Sequence, residues 1–153
     1  MNRRRAGFTL VEILAAMTII AVLAGIVIPK TGDFIKRAKA AAIVADIDVI
    51  HNALAVYYAD STAYPPTAAV GQVPPGLQSY LPLNFPFVRT DYQLQYARWT
   101  LTSSLGAYPA TTTIVAVTVR TDDARLGQLV TGLLSTSPHF QSGDSYTFII
   151  DGM

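Results

Sequence analysis

The sequence predicts an α+β protein in which one long amino-terminal helix packs on a small antiparallel sheet. Three observations support this prediction. Residues 8–28 form an apolar run broken by a single acid, and residues 43–57 carry apolar side chains at helical spacing. Three later segments alternate apolar and polar side chains in the manner of strands. A long helix followed by a run of strands is typical of the α+β class.

The apolar run predicts a membrane span. At 1.5 Å per residue, residues 8–28 form a helix about 32 Å long, and the hydrocarbon core of a bilayer is about 30 Å thick. Arg3, Arg4 and Arg5 precede the run and favour a cytoplasmic amino terminus, although the cations that follow from Lys30 onward oppose that bias. A secretory signal peptide and a plain anchor are the alternatives. The long apolar core and the absence of a small-residue cleavage site speak against the signal peptide.

Glu12 is the acid inside this run, and it is the most informative residue of the chain. A carboxylate in a membrane-spanning helix costs about 2.5–3.5 kcal/mol on insertion scales. Lipid offers the side chain no hydrogen-bond donor, so Glu12 must be either protonated or paired. A residue of this kind indicates a function.

The surrounding string runs Gly7-Phe8-Thr9-Leu10-Val11-Glu12, and a proline follows at position 29. This spacing resembles the processing site of type IV prepilins and type II secretion pseudopilins, and the resemblance covers about residues 3–30. It implies that a membrane peptidase cuts after Gly7 and methylates the new amino terminus at Phe8. It also implies that Glu12 is the assembly glutamate and that Pro29 kinks the helix, which agrees with the missing N–H of proline.

Two partners are open for Glu12 after such a cut. The new amine of Phe8 lies four residues away on the same chain, within reach along a helix. The resemblance to type IV pilins implies a second partner: in filaments of that family, the glutamate neutralises the amine of a neighbouring subunit. We favour the pairing between subunits, because it explains how a costly residue promotes assembly.

The helix is predicted to continue beyond the membrane. A single apolar stripe steps by four, three, four and three residues through Ile43, Ile47, Ile50, Leu54 and Tyr57. We therefore predict one helix over residues 8–59, ended by the Pro65-Pro66 pair. The expected divisions are a leader (1–7), a transmembrane and assembly helix (8–28), its amphipathic continuation (29–59) and a globular periplasmic head (60–153).

The head is predicted to begin with a packed loop and to continue as a sheet. Residues 60–91 are rich in proline, with a helical turn expected near Gly76, and the strands are expected at residues 92–102, 112–120 and 145–151. Asp122 or Asp123 is expected to cap a short helix that carries Leu126 and Val130. A long helix with a small sheet is the pilin fold that the resemblance implies.

Charge and cysteine content bound the function further. Loss of the three leader arginines takes the formal net charge from +1 to −2, which gives no support for nucleic-acid binding. The chain has no cysteine, and among the families that it resembles this favours a pseudopilin over a disulfide-stapled pilin. Those pseudopilins often hold calcium in an acidic loop. For Asp144 we favour a solvated turn, and we expect no metal or other cofactor.

No catalytic arrangement is apparent, so we predict that the chain is not an enzyme. His51 and His139 are far apart, with no cysteine and no zinc-type spacing, and His139 is expected in a loop. Trp99 is expected to have a structural role.

The resemblance implies a filament subunit whose partners are other pilin-type subunits, the prepilin peptidase, and an inner-membrane platform with its ATPase. The filament would be periplasmic or on the cell surface. A membrane-anchored periplasmic module that binds a ligand and does not polymerise is the alternative.

Overall fold

The computed structural model describes residues 8–103 and 110–152, so the predicted leader lies outside the described residues. Its first element is a helix of 52 residues, α1 (Leu10–Ser61), which continues through position 29. The chain divides after Ile35 into two compact units. In the described residues, the first unit is the amino-terminal part of α1. The second contains the rest of α1 and the head.

The second half of α1 is helical because it buries one stripe. Ile43, Ile47, Ile50 and Leu54 are each no more than 2% exposed, and Tyr57 packs against the same core. This confirms the predicted stripe. The helix ends where the Ser61 hydroxyl donates to the Tyr57 carbonyl (2.7 Å), shortly before the proline pair.

The head contains a four-stranded antiparallel sheet. Its strands are β1 (Gln93–Ser103), β2 (Ala110–Arg120), β3 (His139–Ser142) and β4 (Ser145–Gly152), in the spatial order β1-β2-β4-β3. The predicted fold class is confirmed. One face of the sheet supplies the core, through side chains that alternate along the three long strands: Leu94, Tyr96, Val115, Val117, Val119, Tyr146 and Phe148.

The strand β3 was not expected, and the placement of His139 in a loop is wrong. His139 is the first residue of β3, opposite Phe148 of β4, and the two rings are 6.0 Å apart. The four residues of β3 are all exposed, so they lack the buried alternation that marks a strand in a sequence. Gly143 begins the turn into β4 with a φ of 58°, a conformation that glycine adopts readily.

A second helix, α2 (Ala124–Leu133), lies between β2 and β3 in the chain. Asp123 is its N-cap, as predicted: its carboxylate accepts hydrogen bonds from the N–H groups of Arg125 (3.0 Å) and Leu126 (3.2 Å). Gly127 lies directly against the ring of Tyr146, and a side chain there would collide with that ring. The glycine that weakens the helix in sequence is thus required by packing.

The loop that follows α1 covers the outer edge of β1. The N–H groups of Ala68 and Gly71 donate to the carbonyls of Tyr96 (3.3 Å) and Leu94 (2.8 Å). A 3-10 turn (Leu77–Ser79) buries Leu77 completely, close to the predicted turn. The prediction of a packed rather than a disordered loop is confirmed, and the edge of β1 is protected from pairing with other strands.

Candidate functional site

The start of α1 holds Glu12 in a reciprocal pair with Thr9. The Glu12 carboxylate accepts hydrogen bonds from the N–H (2.8 Å) and hydroxyl (2.9 Å) of Thr9, and the Thr9 hydroxyl accepts one from the Glu12 N–H (3.3 Å). This is a capping box, in which two orphan donors of a helix start are satisfied by each other's side chains. The unprocessed chain therefore gives Glu12 hydrogen-bond donors within its own first turn.

Sequence reasoning missed Thr9 as a partner for Glu12. The signal was present, because a threonine followed three residues later by a glutamate and then by an apolar run is typical of a capping box. Because the rest of the segment is apolar, the sequence alone indicated only the Phe8 amine as a partner for Glu12. In the chain described here that amine does not exist, because Phe8 is still bonded to Gly7.

The other predicted site residues are Gly7, Phe8 and Pro29. Phe8 precedes α1 and is 83% exposed. Gly7 lies outside the described residues. Pro29 lies within α1, and the kink that we expect there stays a prediction.

The first half of α1 presents apolar side chains in every direction. Leu14, Met17, Ile19 and Ile20 are between 55% and 64% exposed. A helix that is apolar on all sides is normally buried, either in lipid or among other helices. This segment therefore has the surface of a membrane helix.

Length and composition alone would place a membrane span elsewhere. Within the described residues, Thr31–Ser61 is the helical segment long and apolar enough to cross a bilayer, and Leu10–Gly25 is a shorter apolar helix. Of the apolar window in Thr31–Ser61, 39% is buried, because its large apolar stripe packs on the sheet, as in the core helix of any globular domain. The predicted segment, residues 8–28, differs in that its described large apolar side chains are exposed.

A buried ionic cluster joins the second half of α1 to the head. Arg89 donates two hydrogen bonds to the Asp46 carboxylate, from Nε (2.9 Å) and from Nη2 (3.1 Å). The hydroxyl of Tyr92 donates to the same carboxylate (2.5 Å). Burial and the bond to Asp46 raise the pKa of Tyr92, and the bond to Asp46 raises the pKa of Arg89. The Asp46 side chain therefore accepts three hydrogen bonds where the second half of α1 packs on the head.

Two more ion pairs tie α1 to the head, both at the surface. Lys36 contacts Asp123 (2.7 Å) and Lys39 contacts Asp91 (2.8 Å). The Lys36 ammonium, followed by the N–H of Leu126, lowers the pKa of Asp123. Asp123 thus serves both as the cap of α2 and as an anchor for α1.

The other residues that the sequence singled out are dispersed. His51 is exposed on α1, as expected, and Trp99 is partly exposed on β1, 6.5 Å ring to ring from Phe140. Asp144 lies in the turn before β4, where its carbonyl accepts from the Thr121 N–H (3.0 Å). Residues 8–103 and 110–152 contain no group of three or more histidine, cysteine or acidic side chains placed to hold a metal ion.

Comparison with known families identifies the amino-terminal segment. Residues 2–28 match the model of the prokaryotic N-terminal methylation motif. The match covers the segment that contains Gly7, Phe8 and Glu12, which confirms the resemblance found in the sequence.

Curated relatives extend this similarity beyond the motif. The chain is 37% identical over 66 residues to the type II secretion system core protein G of Aeromonas hydrophila, a stretch covering 43% of this chain and 46% of that protein. It is 38% identical over 66 residues to the protein of the same name from Pseudomonas aeruginosa (43% and 46%) and 39% identical over 64 residues to that from Escherichia coli (42% and 44%). The matched stretch spans less than half the length of these relatives and lies in the amino-terminal part of the chain. No solved structure matches the chain.

Proposed function

We propose that this protein is a structural subunit of a type IV filament, and specifically a pseudopilin of a type II secretion system. One observation carries the proposal. An exposed, all-round apolar helix with Glu12 in its first turn is joined to an α+β head, and this helix lies within a methylation motif. The name of the relatives and the absence of cysteine favour a pseudopilin over a pilin.

Processing is proposed to occur at the junction that the sequence marks. Prepilin peptidase would cut between Gly7 and Phe8 and methylate the amine of Phe8. The position of Phe8 and Thr9 ahead of the first helical residue, Leu10, supports this, because a peptidase acts on a non-helical segment. The three leader arginines support a cytoplasmic amino terminus with the head in the periplasm.

The capping box explains in this proposal how the uncut chain tolerates Glu12 in the membrane. In the uncut chain Thr9 supplies two donors to its carboxylate, which reduces the cost of keeping an acid in lipid. After processing, the amine of Phe8 on a neighbouring subunit offers a full charge in place of a hydroxyl. The exchange favours packing of the helices over residues 8–28, since a charged donor binds a carboxylate more strongly than a neutral one.

The partners are proposed to be further pilin-type subunits, prepilin peptidase, and the inner-membrane platform with its assembly ATPase.

We propose no enzymatic activity and no resident calcium. Both oxygens of Asp123 are already occupied, one by the α2 N–H groups and the other by Lys36. A thermal melt of the full chain in detergent should therefore be the same with EDTA as with calcium, whereas a rise of several degrees in calcium would contradict this.

The test begins with processing. We expect the chain co-expressed with prepilin peptidase to start at Phe8 and to carry one added methyl group, by intact and amino-terminal mass spectrometry. A chain that still starts at Met1, while a control prepilin is cut, would exclude the proposed processing. The membrane-anchored binding module would then be the better account.

Assembly is tested separately with Glu12→Gln, which keeps the shape of the side chain and removes its charge. We expect this variant to be inserted and cut normally but to yield no filaments that sediment or are visible by electron microscopy. Asp48→Asn is the matched control, because it removes an exposed carboxylate from the other half of α1. Normal filaments from Glu12→Gln would contradict the role of Glu12.

A further inference from the structure

The head contains a polar pocket, separate from the helix start that holds Glu12. It has a volume of about 340 Å³ and is lined by residues 89–93, ahead of and at the start of β1, and residues 120–122, at the end of β2. Liquid water occupies about 30 Å³ per molecule, so this space exceeds what a few ordered waters fill. Its walls carry both cationic and anionic side chains, and their existing contacts determine what it can bind.

Half of the charged groups in this pocket are already paired. Arg89 is bound to Asp46, and Asp91 is bound to Lys39. The Thr121 hydroxyl donates to the carbonyl of Asp91 (2.8 Å). These paired groups are held in place by their partners. The side chains that remain unpaired therefore determine which charge the pocket can bind.

The remaining donors are concentrated around Arg120. Arg120 is exposed at the end of β2, and its side chain has no hydrogen bond or ion pair within residues 8–103 and 110–152. The side chains of Thr90 and Gln93 are equally unengaged in that part of the chain. Gln93 lies directly opposite Arg120 in the β1–β2 register, which places the Cβ atoms of such a pair about 5 Å apart. A guanidinium, an amide and a hydroxyl therefore border one space.

This donor set matches one kind of ligand group. A guanidinium binds a planar carboxylate through two parallel N–H bonds, and an adjacent amide N–H can donate a third. One unpaired cation suits a single negative charge better than the two charges of a phosphate. Asp122 also has an unpaired carboxylate in the pocket, and it disfavours a doubly charged anion further.

We propose that this pocket binds a carboxylate group, with Arg120 as its charged contact and Gln93 as its positioning partner. The carboxylate comes either from a small organic acid or from an acidic side chain of a polypeptide, and the chemistry at Arg120 is the same for both. The proposal does not depend on filament assembly, so either one can fail without the other.

The experiment uses the full chain in detergent micelles, observed by NMR at the Nε–H signal of Arg120 and the side-chain amide of Gln93. Sodium acetate and the peptide acetyl-Ala-Asp-Ala-amide are titrated separately. Acetyl-Ala-Asn-Ala-amide and sodium phosphate serve as comparisons. We expect saturable shifts with acetate and with the aspartyl peptide, and none with the asparaginyl peptide. Tighter binding of the peptide than of acetate identifies a polypeptide source, and equal binding identifies a small acid.

Two variants make the assignment specific by moving affinity in opposite directions. Arg120→Gln should weaken binding about tenfold, read at the Gln93 amide, because it removes a charge-assisted contact worth about 1.4 kcal/mol. Asp122→Asn should strengthen binding several-fold, because it removes a like charge. Unchanged affinity in Arg120→Gln, or phosphate binding tighter than either carboxylate, overturns the proposal.

Discussion

The two halves of α1 are both rich in aliphatic side chains, and they have opposite surroundings. In the first half Ile19 and Ile20 are 61% and 64% exposed, whereas in the second half Ile43 and Ile50 are completely buried. The first half is apolar in all directions, and its large side chains are exposed. The second half confines its large apolar side chains to one stripe, which the sheet covers. The distribution of apolar residues around the helix, more than their number, decides whether a segment serves the fold or is left for other partners.

The largest expected effect tests this contrast with the same substitution in each half. Ile50→Ala should lower the free energy of unfolding of the head by about 2–5 kcal/mol, because it leaves a cavity in the core. Ile19→Ala should change that free energy by less than about 0.5 kcal/mol. Denaturant titration of the head's near-ultraviolet circular dichroism, with the full chain in detergent, measures both. Equal losses would mean that the first half also stabilises the head.

The ionic cluster distinguishes the second half in another way. Arg89→Met should lower the free energy of unfolding by about 2–3 kcal/mol, because it leaves the Asp46 side chain, 11% exposed, with Tyr92 as its remaining hydrogen-bond donor in the described part of the chain. This loss is smaller than that for a fully buried ion pair, because the Arg89 side chain is 44% exposed and solvent screens its charge. Arg120→Met is the matched control, since that arginine makes no ion pair in the described residues. Chemical denaturation of the two variants should differ clearly, and equal stability would show that the cluster contributes nothing.

The capping box is the corresponding local feature of the first half. Thr9→Val removes the hydroxyl that Glu12 shares and should destabilise the first turn of α1 by about 1 kcal/mol. Hydrogen exchange at the amides of residues 11–13 should then be faster in micelles. Thr18→Val is the control, because the Thr18 hydroxyl donates to the Leu14 carbonyl within the helix (2.8 Å) and caps nothing. Equally fast exchange in both variants would contradict a special role for Thr9.

The smallest effect concerns the ion pair nearest the start of the second unit. The folded-state pKa of Asp123 lies below its unfolded value of about 3.9, so its contribution to stability is complete above that pH and disappears as the pH falls through the folded-state pKa. Wild-type protein should therefore lose more thermal stability between pH 5 and pH 2 than Asp123→Asn, which keeps a capping side chain without the charge. Parallel melting curves of the two proteins would show that Lys36 does not stabilise Asp123.

Local pattern accounts for the parts that were predicted correctly. The buried stripe of α1, the three long strands and the Asp123 cap depend on residue periodicity and on short-range hydrogen bonding, which are legible in a sequence. The strand β3 was missed because all four of its residues are exposed, so the sequence shows no buried alternation there. Glycine has a low helix propensity, and only the fold shows that the ring of Tyr146 lies against Gly127 in α2.

The sequence by itself determined the methylation motif, the acid at position 12 and the division of α1 into an all-round apolar half and a striped half. Each of these features rests on residues close together along the chain, and helical geometry relates them without further information. Only the tertiary structure decided that Asp46 meets Arg89 and Tyr92, that Lys36 meets Asp123, and that Arg120 borders a pocket with residues 89–93. Such contacts join residues tens of positions apart, and their partners are selected by the packing of α1 on the sheet rather than by local spacing.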